Sequence, residues 1–353
     1  MVTKSTHRSS LAALWATLAG SAVLLAGAVF WPRPAPPPLP VPPTAAPPAP
    51  PPATDRAEFF DQHVQGIIAA ADQANRQAAK RCIATIDQRF AKYARGIEPF
   101  ATDMTSMSTR FSILRKMRSD WWNERTDVRR FVQAKFEKHV FSELQIQRDV
   151  AQAIAQFRAN VEANQMQMLA DARAALSSAD SPDVQLPEYG QYLAQVHAEL
   201  QSHVASSGAD SVTSGLVALV ASEVGGVAAG TLVGGMIGRA GIAAATSVAA
   251  AGGASATGAA AGGVGGTAAG PIGTAIGAGI GLAIGVAIDW WMTASFEAKL
   301  KADLNEYLRQ MQRLLVRGKA GNNGLANALS TVCDGLREAY REQFYRDIVG
   351  VLP

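Results

Sequence analysis

Residues 222–238 read SEVGGVAAGTLVGGMIG, and residues 271–292 read PIGTAIGAGIGLAIGVAIDWWM. Gly226, Gly230, Gly234 and Gly238 recur at every fourth position, as do Gly273, Gly277, Gly281 and Gly285. A four-residue period puts each set on one face of an α-helix. Glycine there removes the side chain and lets a second backbone approach closely. That matters in lipid, where no hydrophobic drive brings helices together. Ser222 extends the first set backward, and Asp289 closes the second. The sets lie in apolar runs of membrane-spanning length, Ser214–Gly238 and Pro271–Met292. The pattern predicts a glycine-zipper transmembrane helical hairpin over 212–293. The alternatives are a buried hairpin in a soluble bundle and a low-complexity linker. A linker has no reason to keep Leu, Val and Ile off the glycine face. The small-residue connector Ala240–Gly270 reads as a loop or as a third, weakly apolar helix.

Glu223 is the one acid inside the first run. A carboxylate at membrane depth is costly, so it points to a pore lining or to pairing between subunits. The alternative is that the span starts at Val224 and leaves Glu223 at the interface. Two spans return the chain to its side of entry. They put Arg239 at the cytoplasmic turn and Trp290 and Trp291 at the opposite interface.

On both sides of this region the sequence becomes amphipathic. Phe60, Val64, Ile67, Ala71, Ala74, Ala78, Cys82, Ile86, Phe90, Tyr93 and Ile97 form one stripe at three- and four-residue spacing. That is the signature of a helix of about 40 residues, ended by Gly96 and Pro99. Further helices are predicted over 103–122 and 123–178. The latter has the stripe Val128, Val132, Phe136, Val140, Leu144, Val150, Ile154, Phe157 and Val161. A shorter helix runs to about Ser206. After the hairpin, Phe296, Leu300, Leu304, Leu308, Met311 and Leu315 form another stripe, and Gly318 to Gly324 breaks it. Leu325, Leu329, Val332, Leu336, Tyr340, Phe344 and Ile348 form the last. Nothing outside the apolar runs alternates like a strand. The fold class is therefore all-α, a bundle of long helices with coiled-coil character. It comprises an exported helical domain over 55–207 and C-terminal helices over 294–353 packing on it.

The N-terminus suggests where this bundle resides. Residues 1–10 form a short basic tail with Lys4 and Arg8, and Leu11 to Trp31 carry no charge over 21 positions. A helix of that length spans a bilayer core, and the positive flank keeps the tail in the cytoplasm. The alternative is a cleaved signal peptide, with Ala26-Gly27-Ala28 as its cleavage site. A proline-rich spacer follows over 32–54, with 13 prolines among the 22 residues from Pro32 to Ala53. Proline at this density holds the chain in extended polyproline II. Basic tail, anchor and proline-rich spacer together resemble the architecture of TonB-like proteins over the first 55 or so residues. The implied location is the inner membrane, with the bulk of the chain exported.

The remaining residues give no catalytic signature. The net charge of +3 is nearly balanced and argues against nucleic acid. The five histidines are scattered, and His197 and His203, six apart, do not share a helix face. No metalloprotease, nucleophile-elbow or P-loop motif occurs. No cofactor or small-molecule substrate is indicated. Arg115-Lys116-Met117-Arg118 and Arg129-Arg130 read as a solvated helix face or as a contact with anionic headgroups. Cys82 and Cys333 either form one disulfide joining the first and last soluble helices, or stay as two buried thiols. The expected function is a membrane-anchored structural or interaction protein. Its expected partners are the lipid bilayer and either further copies of itself or other envelope proteins. The alternative is a pore or channel former, because residues 214–292 resemble the apolar hairpin of pore-forming proteins as a motif class.

Overall fold

The helix built on the Phe60 stripe sets the architecture. The computed structural model describes residues 53–123, 127–179, 184–221, 225–252, 295–319 and 322–350. The anchor at 11–31, nearly all of the spacer, Glu223 and the glycine set from Gly273 to Gly285 lie outside the described residues. Helix α1 (Ala53–Phe59) passes through one π-turn (Phe60–Val64) into α2 (Gln65–Arg95). The last two positions assigned to the spacer thus begin the helix. Phe60, Val64, Ala71, Ala78, Cys82, Ile86, Phe90 and Tyr93 are buried along one face. Between the buried Val64, Ala71 and Ala78, it is Ile68 and Asn75 rather than Ile67 and Ala74 that occupy the inner positions.

The helix ends at Gly96 for want of space. A Cβ there would collide with the carbonyl of His139, so only glycine lets the next corner of the chain cross. Pro99 is not a terminator. It sits in the first turn of α3 (Ile97–Thr105), where a missing N–H costs no helical bond. Helix α4 covers Met107–Asn123.

The single helix expected over 123–178 is two. Helix α5 (Asp127–His139) and α6 (Glu143–Ser178) meet at a corner where Ser142 caps α6 by accepting from the Gln145 N–H. Val140 and Phe141 are buried at this corner. The turn resets the helical phase, so Ile146 is buried while Leu144, expected in the stripe, is 68% exposed.

Helix α7 (Tyr189–Ser206) leads to α8 (Ser211–Ala221) and α9 (Gly225–Gly252). Helix α10 (Phe296–Arg317) ends at Gly318, whose φ of 79° favours glycine. A two-residue ribbon, β1 (Gly318–Lys319) with β2 (Asn322–Asn323), turns the chain antiparallel into α11 (Leu325–Ile348). Helix dominates, and this ribbon holds the only strands among the described residues.

Helix α2 is the axis, packed against α6 on one side and α11 on the other. Both neighbours run antiparallel to it. Phe60 meets Tyr345 edge-on at 5.3 Å, while Arg76 bonds Asp334 at 2.6 Å. Asn75 pairs with Asn164, and Tyr93 donates to Asp149 at 2.7 Å. The far end of α2 closes on Tyr93, Phe100, Phe136 and Phe141, whose rings pack in tilted and edge-on pairs 5.1–5.6 Å apart.

Candidate functional site

Two features bear on function: the glycine-rich helices and a polar layer beside them. The run Ser214–Gly238 is not one continuous helix. Gly215 of α8 lies against Leu232 of α9, close enough that a Cβ would come 2.6 Å from the Leu232 Cδ1. Seventeen residues of unbroken helix would hold those positions about 25 Å apart. The chain therefore folds back between α8 and α9.

Both helices are packed into the bundle. Helix α8 is apolar nearly all round, with Val212, Leu216, Val217, Leu219 and Val220 buried, as expected for a central core helix. Helix α9 packs against α10, α6 and α8. Its buried face carries Val233, Met236, Ile237, Ala240, Ala244, Ala245 and Val248, and its outer face Thr231, Arg239, Ile242 and Thr246. Gly234 and Gly238 fall on the buried face. Gly230 is half-buried against α6, where Gln147 Nε2 donates to its carbonyl at 3.4 Å. Gly226 lies in the first turn of α9. The stretch Gly230–Val248 is long and apolar enough to cross a membrane, and a little over half of it is buried here. The connector from Ala240 is helical as far as Gly252.

The entry to α8 is fixed by one carboxylate. Asp210 accepts from the Thr213 N–H at 2.9 Å as an N-cap, and from the Asn323 N–H of the ribbon at 3.0 Å. Burial pushes its carboxyl up, but these bonds outweigh it and hold it below its ordinary value.

A partly buried polar layer joins α2, α6, α7 and α11, with Asn75, Tyr340 and Gln343 as its buried members. Asn164 Nδ2 donates to Asn75 Oδ1 at 2.8 Å, and Asn75 Nδ2 donates to the Tyr340 hydroxyl at 3.4 Å. Gln343 Nε2 donates to Gln195 Oε1 at 2.7 Å and to Asp347. The sequence stripes placed only apolar groups here. A shallow cleft of about 600 Å3 opens beside this layer between α6 and α7, lined by Arg158, Glu162, Gln165, Tyr189, His197 and Gln201. Burial and the nearby Arg158 lower the His197 pKa and keep its ring neutral at pH 7. His203 is exposed.

Cys82 and Cys333 are buried free thiols on the facing helices α2 and α11. Burial pushes both up to about 12, so neither is a thiolate at neutral pH. The Arg76–Asp334 and Asn75–Tyr340 contacts also join these two helices. Among the described residues no cluster of His, Cys, Asp and Glu is arranged to hold a metal ion. No protein-family model, curated protein or solved structure matches the chain.

Proposed function

We propose that this protein is a membrane-anchored, non-catalytic bundle that acts by presenting helical faces to partners in the cell envelope. The apolar run 11–31 anchors it, and the proline-rich stretch holds the bundle away from the membrane. The observation that carries this reading is the placement of α2. The helix nearest the spacer is gripped along its length by α6 and by the last helix, α11. A tether attached there holds the whole bundle rather than one frayed end.

Side-specific labelling of the full chain tests it. Gln62→Cys and Arg341→Cys place thiols at exposed sites on the π-turn before α2 and on α11. Both should react with a membrane-impermeant maleimide in intact spheroplasts. Labelling of neither before lysis would overturn the exported, anchored reading.

A second reading, pore formation, is favoured by one specific observation. The apolar pair α8–α9 is wrapped by the amphipathic helices α6, α7, α10 and α11, so its outward release would present a hairpin to lipid. Conductance across vesicles that Gly230→Leu or Gly281→Leu abolishes would favour the pore. Silence in the same vesicles would favour the scaffold.

A further inference from the structure

Helix α4 carries an apolar face that the bundle leaves uncovered. Its inner side is ordinary, with Thr109 and Ile113 buried. On the other side Met107, Phe111 and Leu114 are 81%, 74% and 50% exposed. Spacings of four and three put these side chains on one face. Among the described residues the other large apolar groups exposed to a similar degree, Leu144, Met166 and Ile242, are scattered over α6 and α9. Isolated exposed apolar residues need no explanation, but a contiguous row of three marks a contact site.

Charge identifies what covers this face. Residues 107–118 contain Arg110, Arg115, Lys116 and Arg118 and no acid. Helical spacing places Arg110 and Arg115 on opposite borders of the apolar row. Arg110 is half-buried, with a buried Nε that has no hydrogen-bond partner, and Arg115 is exposed. Lys116 is turned inward, with its Nζ 5.6 Å from the centre of the Phe131 ring on α5. The sequence then continues to Trp121-Trp122, a residue type concentrated at bilayer interfaces. A convex ridge of Met, Phe and Leu bordered by arginines matches an interfacial helix, which sinks its apolar face to the headgroup–acyl boundary and pairs its cations with lipid phosphates.

We propose that α4 lies on an anionic bilayer, with Met107, Phe111 and Leu114 below the headgroups and Arg110 and Arg115 at the phosphates. This contact is separate from the anchor and from the glycine-rich helices. It requires only that the bundle come near a membrane surface.

The test uses the full chain bearing Phe111→Cys labelled with the fluorophore NBD. The native thiols are buried and stay unlabelled under native conditions. The protein is mixed with vesicles of phosphatidylcholine alone or with added phosphatidylglycerol, each carrying a spin-labelled quencher lipid. Emission should shift to the blue and be quenched only with phosphatidylglycerol present. Adding Leu114→Ser should remove the response. Arg110→Gln and Arg115→Gln should each weaken it about fivefold. Equal emission in both vesicle types would overturn the proposal. So would a blue shift produced by polyglutamate without vesicles, which would assign the face to an acidic protein. If the anchor reading failed instead, the phosphatidylglycerol response would remain.

Discussion

The α2–α11 seam and the α9 seam are both helix packings, but they are built differently. Along α2–α11, large side chains alternate with polar ones. Phe60 packs on Tyr345, Arg76 bonds Asp334, and Asn75 reaches Tyr340. The buried Asn75 contact works in one register only, because a shifted helix would strand its donor or acceptor. Along α9 the buried groups are mostly alanine, glycine and β-branched or flexible aliphatic residues. Such a surface packs closely, and its contacts are less specific to one register than paired polar groups are. The first seam specifies the fold. The second buries an apolar helix mainly through close packing of small and aliphatic groups.

Mutations can break or sharpen that contrast. The largest effect belongs to α11, which forms the first seam and also packs on α7. Phe344 is fully buried and packs on Tyr192 at 5.1 Å, so Phe344→Ala should cost about 3–5 kcal/mol in urea unfolding of the detergent-solubilised chain. The matching change on α9 is Ile237→Ala, also at a fully buried site. A cost of about 2–4 kcal/mol is expected without lipid. In vesicles that cost should shrink if α9 leaves the bundle. An unchanged cost there would mean that the α9 seam holds as firmly as the first.

Asn75→Ala probes specificity rather than bulk. Leaving Asn164 without its acceptor should cost about 1–3 kcal/mol, with strong coupling to Asn164→Ala in a double-mutant cycle. Additive effects would show that the polar layer does not act as a unit.

The smallest effect concerns the clasp on α8. The Asp210 carboxyl lies below its ordinary value in the folded protein. A depressed carboxyl contributes stability that is fully present above the unfolded value of 3.8 and is lost as pH falls through the folded one. Acid should therefore loosen α8 below about pH 4. Asp210→Asn should remove that acid step at a cost of about 1 kcal/mol at pH 7, read by hydrogen exchange over residues 211–221, because an amide offers one acceptor oxygen for the Thr213 and Asn323 N–H groups. An acid step that persists in this variant would place its origin elsewhere.

How far each feature was legible follows from what fixes it. The stripes at 60–97, 296–315 and 325–348 were readable because helical period and burial coincide there. Tyr340, Phe344 and Ile348 all lie inside, as their spacing requires. The break at 140–142 was missed because Val140 and Leu144 keep helical spacing across it. Only Ser142, a good N-cap before Glu143, marks the corner locally. Asn75 and Gln343 were passed over because a stripe search counts apolar residues, whereas these polar groups are satisfied by partners 89 and 148 residues away. The exposed row on α4 had a visible basic signature, but which of its faces would be left uncovered depends on the docking of α5.

The sequence alone determined that the chain is helical, where its apolar stripes run, and that small residues concentrate in its centre. Those properties follow from period and composition, which are local. The tertiary structure decided that α8 and α9 fold against each other inside the bundle, that α2 is its axis, and that Asp210 ties α8 to the α10–α11 turn. A glycine face specifies close approach but not the partner. Choosing between another glycine helix and α6 or α10 depends on which surfaces the rest of the chain leaves uncovered, and no local pattern encodes that.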